Sequence, residues 1–323
     1  MVNIILTAHY TGKPLDILKS VCPQGFSVKT LDVVSHEQLI KEVTDADYLL
    51  VSGRLSIDKP VLDNASKLKM IQRTGVGIEM LDIEEIKHRG TPVYVNAGLN
   101  AQSVAEHTLT LILACLKRLP QVNLLTHQGD WNKQQTGITT RELYGKIVAL
   151  VGMGNIGRKV AQMLQAFGAR VIYTDVVRQS ADIEQLLGLN YYNSFEEMLP
   201  VADILSFHCP LTQETTEILN KRTLALLKDG AIVVNTARGK QINPNDLYDS
   251  LVSGHISSAG LDTHYEEPIK EGYQLAELDN VILTPHIGGL SKEAFESMMR
   301  GAMENIAAFE AGKLDEIASK RII

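Results

Sequence analysis

Ile147-Val148-Ala149-Leu150-Val151-Gly152-Met153-Gly154-Asn155-Ile156-Gly157 is the stretch whose reading decides how this chain folds. Its first five residues form an unbroken apolar run, as in a strand covered on both faces. The next six match G-x-G-x-x-G, and an amphipathic stretch over residues 156–167 reads as the helix that follows. Strand, glycine turn and helix in that order make a dinucleotide-binding unit. Gly152 permits the tight turn, Gly154 lets the backbone approach a pyrophosphate, and Gly157 lets helix pack on strand. Free N–H groups around Asn155 and Ile156 receive the anion. The next apolar run, 170–174, is followed by Asp175. A carboxylate there accepts from both ribose hydroxyls of NAD and repels a 2′-phosphate. Arg178, three positions on, reads as a solvated side chain.

Outward from this unit the same pattern repeats. Residues 2–7, 48–51, 69–72 and 93–95 read as strands, with helices over 14–20, 37–42, 59–64 and 83–88. On the other side, 203–206, 231–235, 258–261 and 280–283 read as further strands. Such alternation is the mark of α/β proteins with parallel sheets. A helix is expected over 101–119, ended by Pro120. Its middle is apolar almost all round, which predicts burial on more than one side and an interface. Residues 126–140 are polar and poorly periodic, and carry Trp131. A last helix over 292–310 stops at Gly312. At 323 residues the chain is long for one core. Two strand–helix series predict two doubly wound units: 98–290 as the NAD domain, and 1–97 with 291–323 as the substrate domain.

The bulk numbers narrow the partners. A formal net charge of -7 leaves no basic excess to neutralise phosphates, which argues against nucleic acid. The most apolar helical stretch, 109–116, is far too short to span a bilayer, and the first residues read as a buried strand rather than a signal peptide. The three cysteines, Cys22, Cys115 and Cys209, show no C-x-x-C spacing and leave one unpaired under any disulfide scheme, which fits a reducing cytoplasm.

Three charged side chains follow consecutive strands of the second series. Asn235-Thr236-Ala237-Arg238-Gly239 comes after 231–234, Asp262 to Glu267-Pro268 after 258–261, and Thr284-Pro285-His286-Ile287-Gly288-Gly289 after 280–283. Open α/β sheets bind ligands at these strand ends. Reducing a 2-oxo acid needs a cation for the carboxylate and carbonyl oxygen, a proton donor for the developing alkoxide, and a carboxylate partner for that donor. Arg238, His286 and Glu267 are those three types. Singly, each has an ordinary reading as a surface or structural residue; together, beside a nucleotide site, they read as a catalytic set.

Gly152–Gly157 with Asp175, His208-Cys209-Pro210-Leu211-Thr212, Asn235–Gly239, Asp262 to Pro268 and Thr284–Gly289 resemble, in this order, the signatures of the D-isomer-specific 2-hydroxyacid dehydrogenases. Arg73-Thr74-Gly75-Val76-Gly77 and Ser103-Val104-Ala105-Glu106-His107 match as well, so the resemblance covers nearly the whole chain. It is strongest toward the phosphoglycerate, glyoxylate and hydroxypyruvate branch, because Pro268 directly follows Glu267. The resemblance implies an α/β fold of a Rossmann NAD domain and a flavodoxin-like substrate domain, an active site between them, a small 2-oxo or 2-hydroxy acid substrate, and a homodimer. Carried over by motif, Arg238 binds substrate carboxylate and carbonyl, His286 is the acid/base and Glu267 orients it. Val76 and Gly77 offer N–H groups to the carboxylate. Asn155 and Ile156 meet the pyrophosphate and Asp175 the ribose. Cys209, Thr236, Ala237 and Arg238 line the cofactor, Asp262 lies near the nicotinamide amide, and Thr108 touches the nicotinamide.

Departures concern the substrate. Glu79-Met80 stands where many relatives have Asp-Asn, Ala97 where Pro is usual, and Thr263-His264-Tyr265 replaces a common apolar pair. Arg54, after 48–51, reads equally as a substrate contact or an ordinary surface arginine. His264 has no second His or Cys at ligand spacing and reads as a loop residue. Cys209 lacks a neighbouring cation to stabilise a thiolate, so packing beside the cofactor is expected. A rival function is NADH sensing by a binding module, as in the transcriptional corepressors of this fold; NADH turnover with a 2-oxo acid separates the two.

Overall fold

The computed structural model describes residues 1–53 and 55–323. Contacts divide the chain into two compact units, residues 1–100 with 292–323, and residues 101–291. These breaks lie within a few residues of the boundaries read from the sequence.

The first unit holds five strands: β1 (Val2–Leu6), β2 (Phe26–Thr30), β3 (Tyr48–Val51), β4 (Met70–Arg73) and β5 (Val93–Tyr94). They pair in parallel in the order β2-β1-β3-β4-β5, the flavodoxin-like arrangement. Alternate residues face opposite ways. Ile5, Leu49, Val51, Ile71 and Val93 enter one buried cluster, while Ile4, Leu6, Tyr48, Leu50, Met70 and Tyr94 enter the other. Helices cover both faces, and this is why the strands read as near-continuous apolar runs. The last helix, Lys292–Glu310, returns to this unit and closes the second cluster with Met298, Met299, Ala302, Met303 and Ile306. Local signals start the short helices: Ser35, Asp58 and Asp82 each accept a first-turn amide.

The second unit carries β6 (Ile147–Val151), β7 (Arg170–Thr174), β8 (Leu189–Tyr191), β9 (Ile204–Phe207), β10 (Ala231–Asn235), β11 (Ile256–Leu261) and β12 (Val281–Leu283). Their order, β12-β11-β10-β9-β6-β7-β8, reverses direction at β6 and β9. That reversal is the crevice where doubly wound sheets bind dinucleotides. Ala149 and Val151 of β6 face one core and Val148 and Leu150 the other.

Three local expectations are corrected. The long helix spans Ala101–Lys117, and Pro120 sits in the first turn of a new helix, Leu119–His127, instead of merely ending the old one. Proline suits that position because first-turn amides have no partner inside the helix. A short helix, Lys133–Gly137, also lies in the stretch read as irregular. Strands β2 and β8 were not expected; both lie at sheet edges and are half polar, so they lack the apolar run of a buried strand. The apolar surface of Ala101–Lys117 is used within its own unit, against the helix Asn155–Ala166 and strands β10 and β11.

Candidate active site

At the C-terminal end of β6 the chain turns through Gly152, whose N–H donates to Thr174 O at 2.9 Å. A Cβ on Gly152 would stand 2.7 Å from the His208 carbonyl, and one on Gly157 would stand 2.2 Å from the Gly152 oxygen. Only glycine fits either place. Gly154 differs: nothing lies within 4 Å of where its Cβ would be. The helix Asn155–Ala166 begins there with no side-chain cap, so no side chain takes up its first amides. Backbone held tight behind, open in front, and uncapped amides at a helix start together fit a pyrophosphate. Asp175 caps the neighbouring strand. Its two carboxylate oxygens accept from Met153 N at 2.5 Å and Val177 N at 3.1 Å, which fixes its direction and leaves lone pairs for a ribose. Arg178 is committed to Glu184 by two bonds of 2.9 Å. That pairing, with a hydrogen bond from Tyr173, holds Glu184 down to about 2.

The catalytic candidates converge because of register. Asn235 pairs with Leu261 and Leu261 with Leu283, so the loops leaving β10, β11 and β12 start side by side. The buried Asn235 side chain builds the first loop, donating to Arg238 O at 2.8 Å and accepting from Ala237 N at 2.9 Å. The Arg238 Nη1 donates to Ala237 O at 2.7 Å. Gly239 allows this loop to lie against the next, since a Cβ there would be 2.0 Å from the His264 carbonyl carbon. In the second loop, Glu267 Oε1 accepts from His264 N at 2.8 Å, and Oε2 faces His286 Nδ1 at 2.9 Å. A carboxylate only accepts, so Nδ1 carries hydrogen and Nε2 is the atom left to exchange a proton. Glu267 is largely buried at 16% exposure, whereas His286 is 41% exposed. The dyad therefore has an anchored end and an accessible end.

Other residues singled out in the sequence stand around these loops. Thr108 Oγ1 lies 2.8 Å from Thr236 Oγ1, which joins the long helix to the end of β10. Cys209 Sγ accepts from Gln241 Nε2 at 3.1 Å, and burial pushes its thiol up to about 11. A thiol so placed packs and does not attack. Asp262 is 1% exposed, and its oxygens take Thr284 Oγ1 at 2.6 Å, Ile287 N at 2.9 Å and Gly288 N at 2.8 Å. Burial alone would raise its carboxyl, but these bonds together with His107 outweigh it and hold the group down to about 2. His264, a loop residue in the sequence reading, also braces the third loop through Nε2 to Thr284 O at 2.9 Å.

In the first unit, the loop after β4 is built by Arg73, which donates from Nε to Gly77 O at 2.6 Å and from Nη1 to Val51 O at 3.2 Å. Buried Asn96 holds Thr74 O at 3.3 Å and Met298 O at 2.8 Å. The amides of Val76 and Gly77 donate to no described residue, and Val76 is half exposed. Arg54 lies outside the described residues.

Comparison with known proteins identifies the family. Residues 109–288 match the family described as "D-isomer specific 2-hydroxyacid dehydrogenase, NAD binding domain". The chain is 34% identical to hydroxypyruvate reductase of Thermotoga maritima over 291 residues, which is 88% of this chain and 92% of that one. It is 34% identical to D-3-phosphoglycerate dehydrogenase of Methanocaldococcus jannaschii over 317 residues, 98% of this chain but 59% of the longer protein. The crystal structure of Aquifex aeolicus D-lactate dehydrogenase complexed with NAD and lactic acid superposes with a TM-score of 0.85 at 27% identity, covering 99% of this chain and 98% of that one.

Proposed function

Because the chain belongs to the D-isomer specific 2-hydroxyacid dehydrogenase family, we propose that Arg238, Glu267 and His286 are the groups with which it interconverts a small 2-oxo acid and its D-2-hydroxy acid. The protein is an NAD-dependent oxidoreductase. Bound NADH supplies the hydride for reduction. His286 delivers a proton from Nε2 to the carbonyl oxygen of the substrate, and takes it back in the oxidative direction. Glu267 fixes the imidazole by its 2.9 Å contact at Nδ1 and favours the charged ring through its own negative charge. Arg238 binds the substrate carboxylate and polarises the carbonyl; within the first unit, the Val76 and Gly77 amides are the groups suited to a carboxylate. Asp175, with Arg178 held by Glu184, selects NADH over NADPH. Gly152, Gly154, Asn155, Ile156 and Gly157 seat the pyrophosphate. Cys209, Thr236, Ala237, Asp262 and Thr108 line the rest of the cofactor.

The observation that carries this reading is the His286–Glu267 pair at the same sheet edge as the glycine turn. His286→Ala tests it. The substitution should lower kcat by roughly 10²–10⁴, as expected for loss of a general acid, while NADH binds normally. Near-normal kcat with chemistry rate-limiting would overturn the assignment. Hydroxypyruvate, glyoxylate and phosphohydroxypyruvate are the first substrates to assay, given the names of the relatives; pyruvate and branched 2-oxo acids complete the panel. Leu119, Leu124, Trp131 and Ile138 are exposed apolar side chains on one short segment, which supports a homodimer. No described helix is long and apolar enough to cross a membrane, and the three cysteines are free; both fit the cytoplasm.

A further inference from the structure

His286 has φ 58, in the left-handed region. A residue with a Cβ enters that region only at an energetic cost and stays only where its surroundings over-determine it. Two sets of contacts do so. Asp262 takes Thr284 on one side of His286 and the Ile287 and Gly288 amides on the other. The second set comes from the helix Ala101–Lys117. Ser103 Oγ donates to Gly288 O at 2.7 Å, and His107 Nε2 lies 3.0 Å from Thr284 Oγ1 and 3.3 Å from Asp262 Oδ1. Ser103 and His107 stand four positions apart, on one face of the helix. A Cβ added to Gly288 would meet Asp262 Oδ2 at 2.9 Å and the His107 ring at 3.3 Å, so segment, carboxylate and helix are in close contact.

Proton positions follow from this geometry. The Thr284 hydroxyl spends its hydrogen on Asp262 Oδ1 at 2.6 Å, so it can only accept from His107. The carboxylate oxygen beside it also only accepts. His107 Nε2 therefore carries hydrogen and shares it between the two. The imidazole is thus a donor to the two groups that flank and clamp the His286 segment.

We propose that Ser103 and His107 are positioning residues for the proton-transfer step: they hold His286 in its left-handed backbone conformation, facing Glu267. This rests on the reading of His286 as the proton donor. Without them the segment can relax toward negative φ at His286 and turn the imidazole from its carboxylate, while the glycine turn at Gly152–Gly157 and Asp175, which seat the pyrophosphate and ribose, keep their own contacts.

The test uses the full chain with Ser103→Ala, His107→Ala, His107→Gln and His286→Ala, measuring single-turnover reduction rate, KM for the oxo acid and NADH affinity. His107→Ala should lower the rate about tenfold, the worth of one hydrogen bond of ~1.4 kcal/mol, and Ser103→Ala several-fold. NADH affinity should stay within about twofold of wild type. His107→Gln should recover most of the rate, because its amide nitrogen can donate to Thr284 Oγ1. Should the His107→Ala chain fail to fold, Ser103→Ala and His107→Gln carry the same expectations. Wild-type rates in both Ser103→Ala and His107→Ala, or NADH affinity lost in proportion to rate, overturn the positioning role while a dead His286→Ala leaves the proton-donor reading standing. A fully active His286→Ala sinks that reading, and the positioning role with it.

Discussion

Asp262→Asn is the substitution whose size can be worked from the structure. The carboxyl lies at about 2 against an ordinary 3.8. At ~1.4 kcal/mol per tenfold, the folded state prefers the charged form by roughly 2.5 kcal/mol. Bond counting agrees. Asparagine keeps one acceptor oxygen and puts an NH₂ where the other was, so either Gly288 N or the Thr284 and Ile287 donors meet a donor. A buried donor left unsatisfied costs about 1–3 kcal/mol. The sign with pH follows from the lowered folded-state value. Stability is fully present above the unfolded value near 3.8 and is lost as pH falls through about 2. Hydrogen exchange at the Ile287 and Gly288 amides reads the opening of this segment directly. At pH 7 these amides should exchange roughly 50-fold faster in Asp262→Asn than in wild type. Near pH 3 the ratio should shrink to about tenfold, because the wild-type carboxylate is then losing its advantage. A ratio below about threefold at pH 7, or one that stays constant down to pH 3, would refute the claim that a charged Asp262 clamps the His286 loop.

Cofactor choice is tested by Asp175→Ala, which should weaken NADH at least tenfold and bring NADPH close to it; unchanged preference in steady-state kinetics would remove the ribose assignment. Gly157→Ala places a Cβ 2.2 Å from the Gly152 oxygen, so helix and turn must separate. NADH titration should show affinity falling more than tenfold and urea unfolding a loss of about 1–3 kcal/mol; wild-type values in both would mean that the turn has slack the structure does not show.

Much of the site was legible because its signals are local. An apolar run, three spaced glycines and an amphipathic helix are read within about twenty residues, and with the next apolar run they placed β6, the turn at Gly152–Gly157 and Asp175. Arg238, Glu267 and His286 were legible for a related reason: each lies in the loop that leaves a strand, and parallel strands put all their C-terminal ends on one edge. What stayed hidden depends on partners far along the chain. Ser103 and Gly288 are 185 positions apart and His107 and Thr284 177, and nothing near either partner announces the other. Those contacts exist because the helix Ala101–Lys117 packs on β10 and β11, which brings its first turns over the loop that leaves β12. The left-handed backbone of His286 was equally invisible, since its residue type opposes that conformation and only the surrounding bonds impose it. Edge strands β2 and β8 escaped notice because one face is solvated and their pairing comes from neighbours, not from their own apolar content. Short-range preference thus determined the elements and the chemical types at their ends. Which atoms hold those types in working order was decided by register and helix packing, whose energies come from groups the chain brings together only when folded.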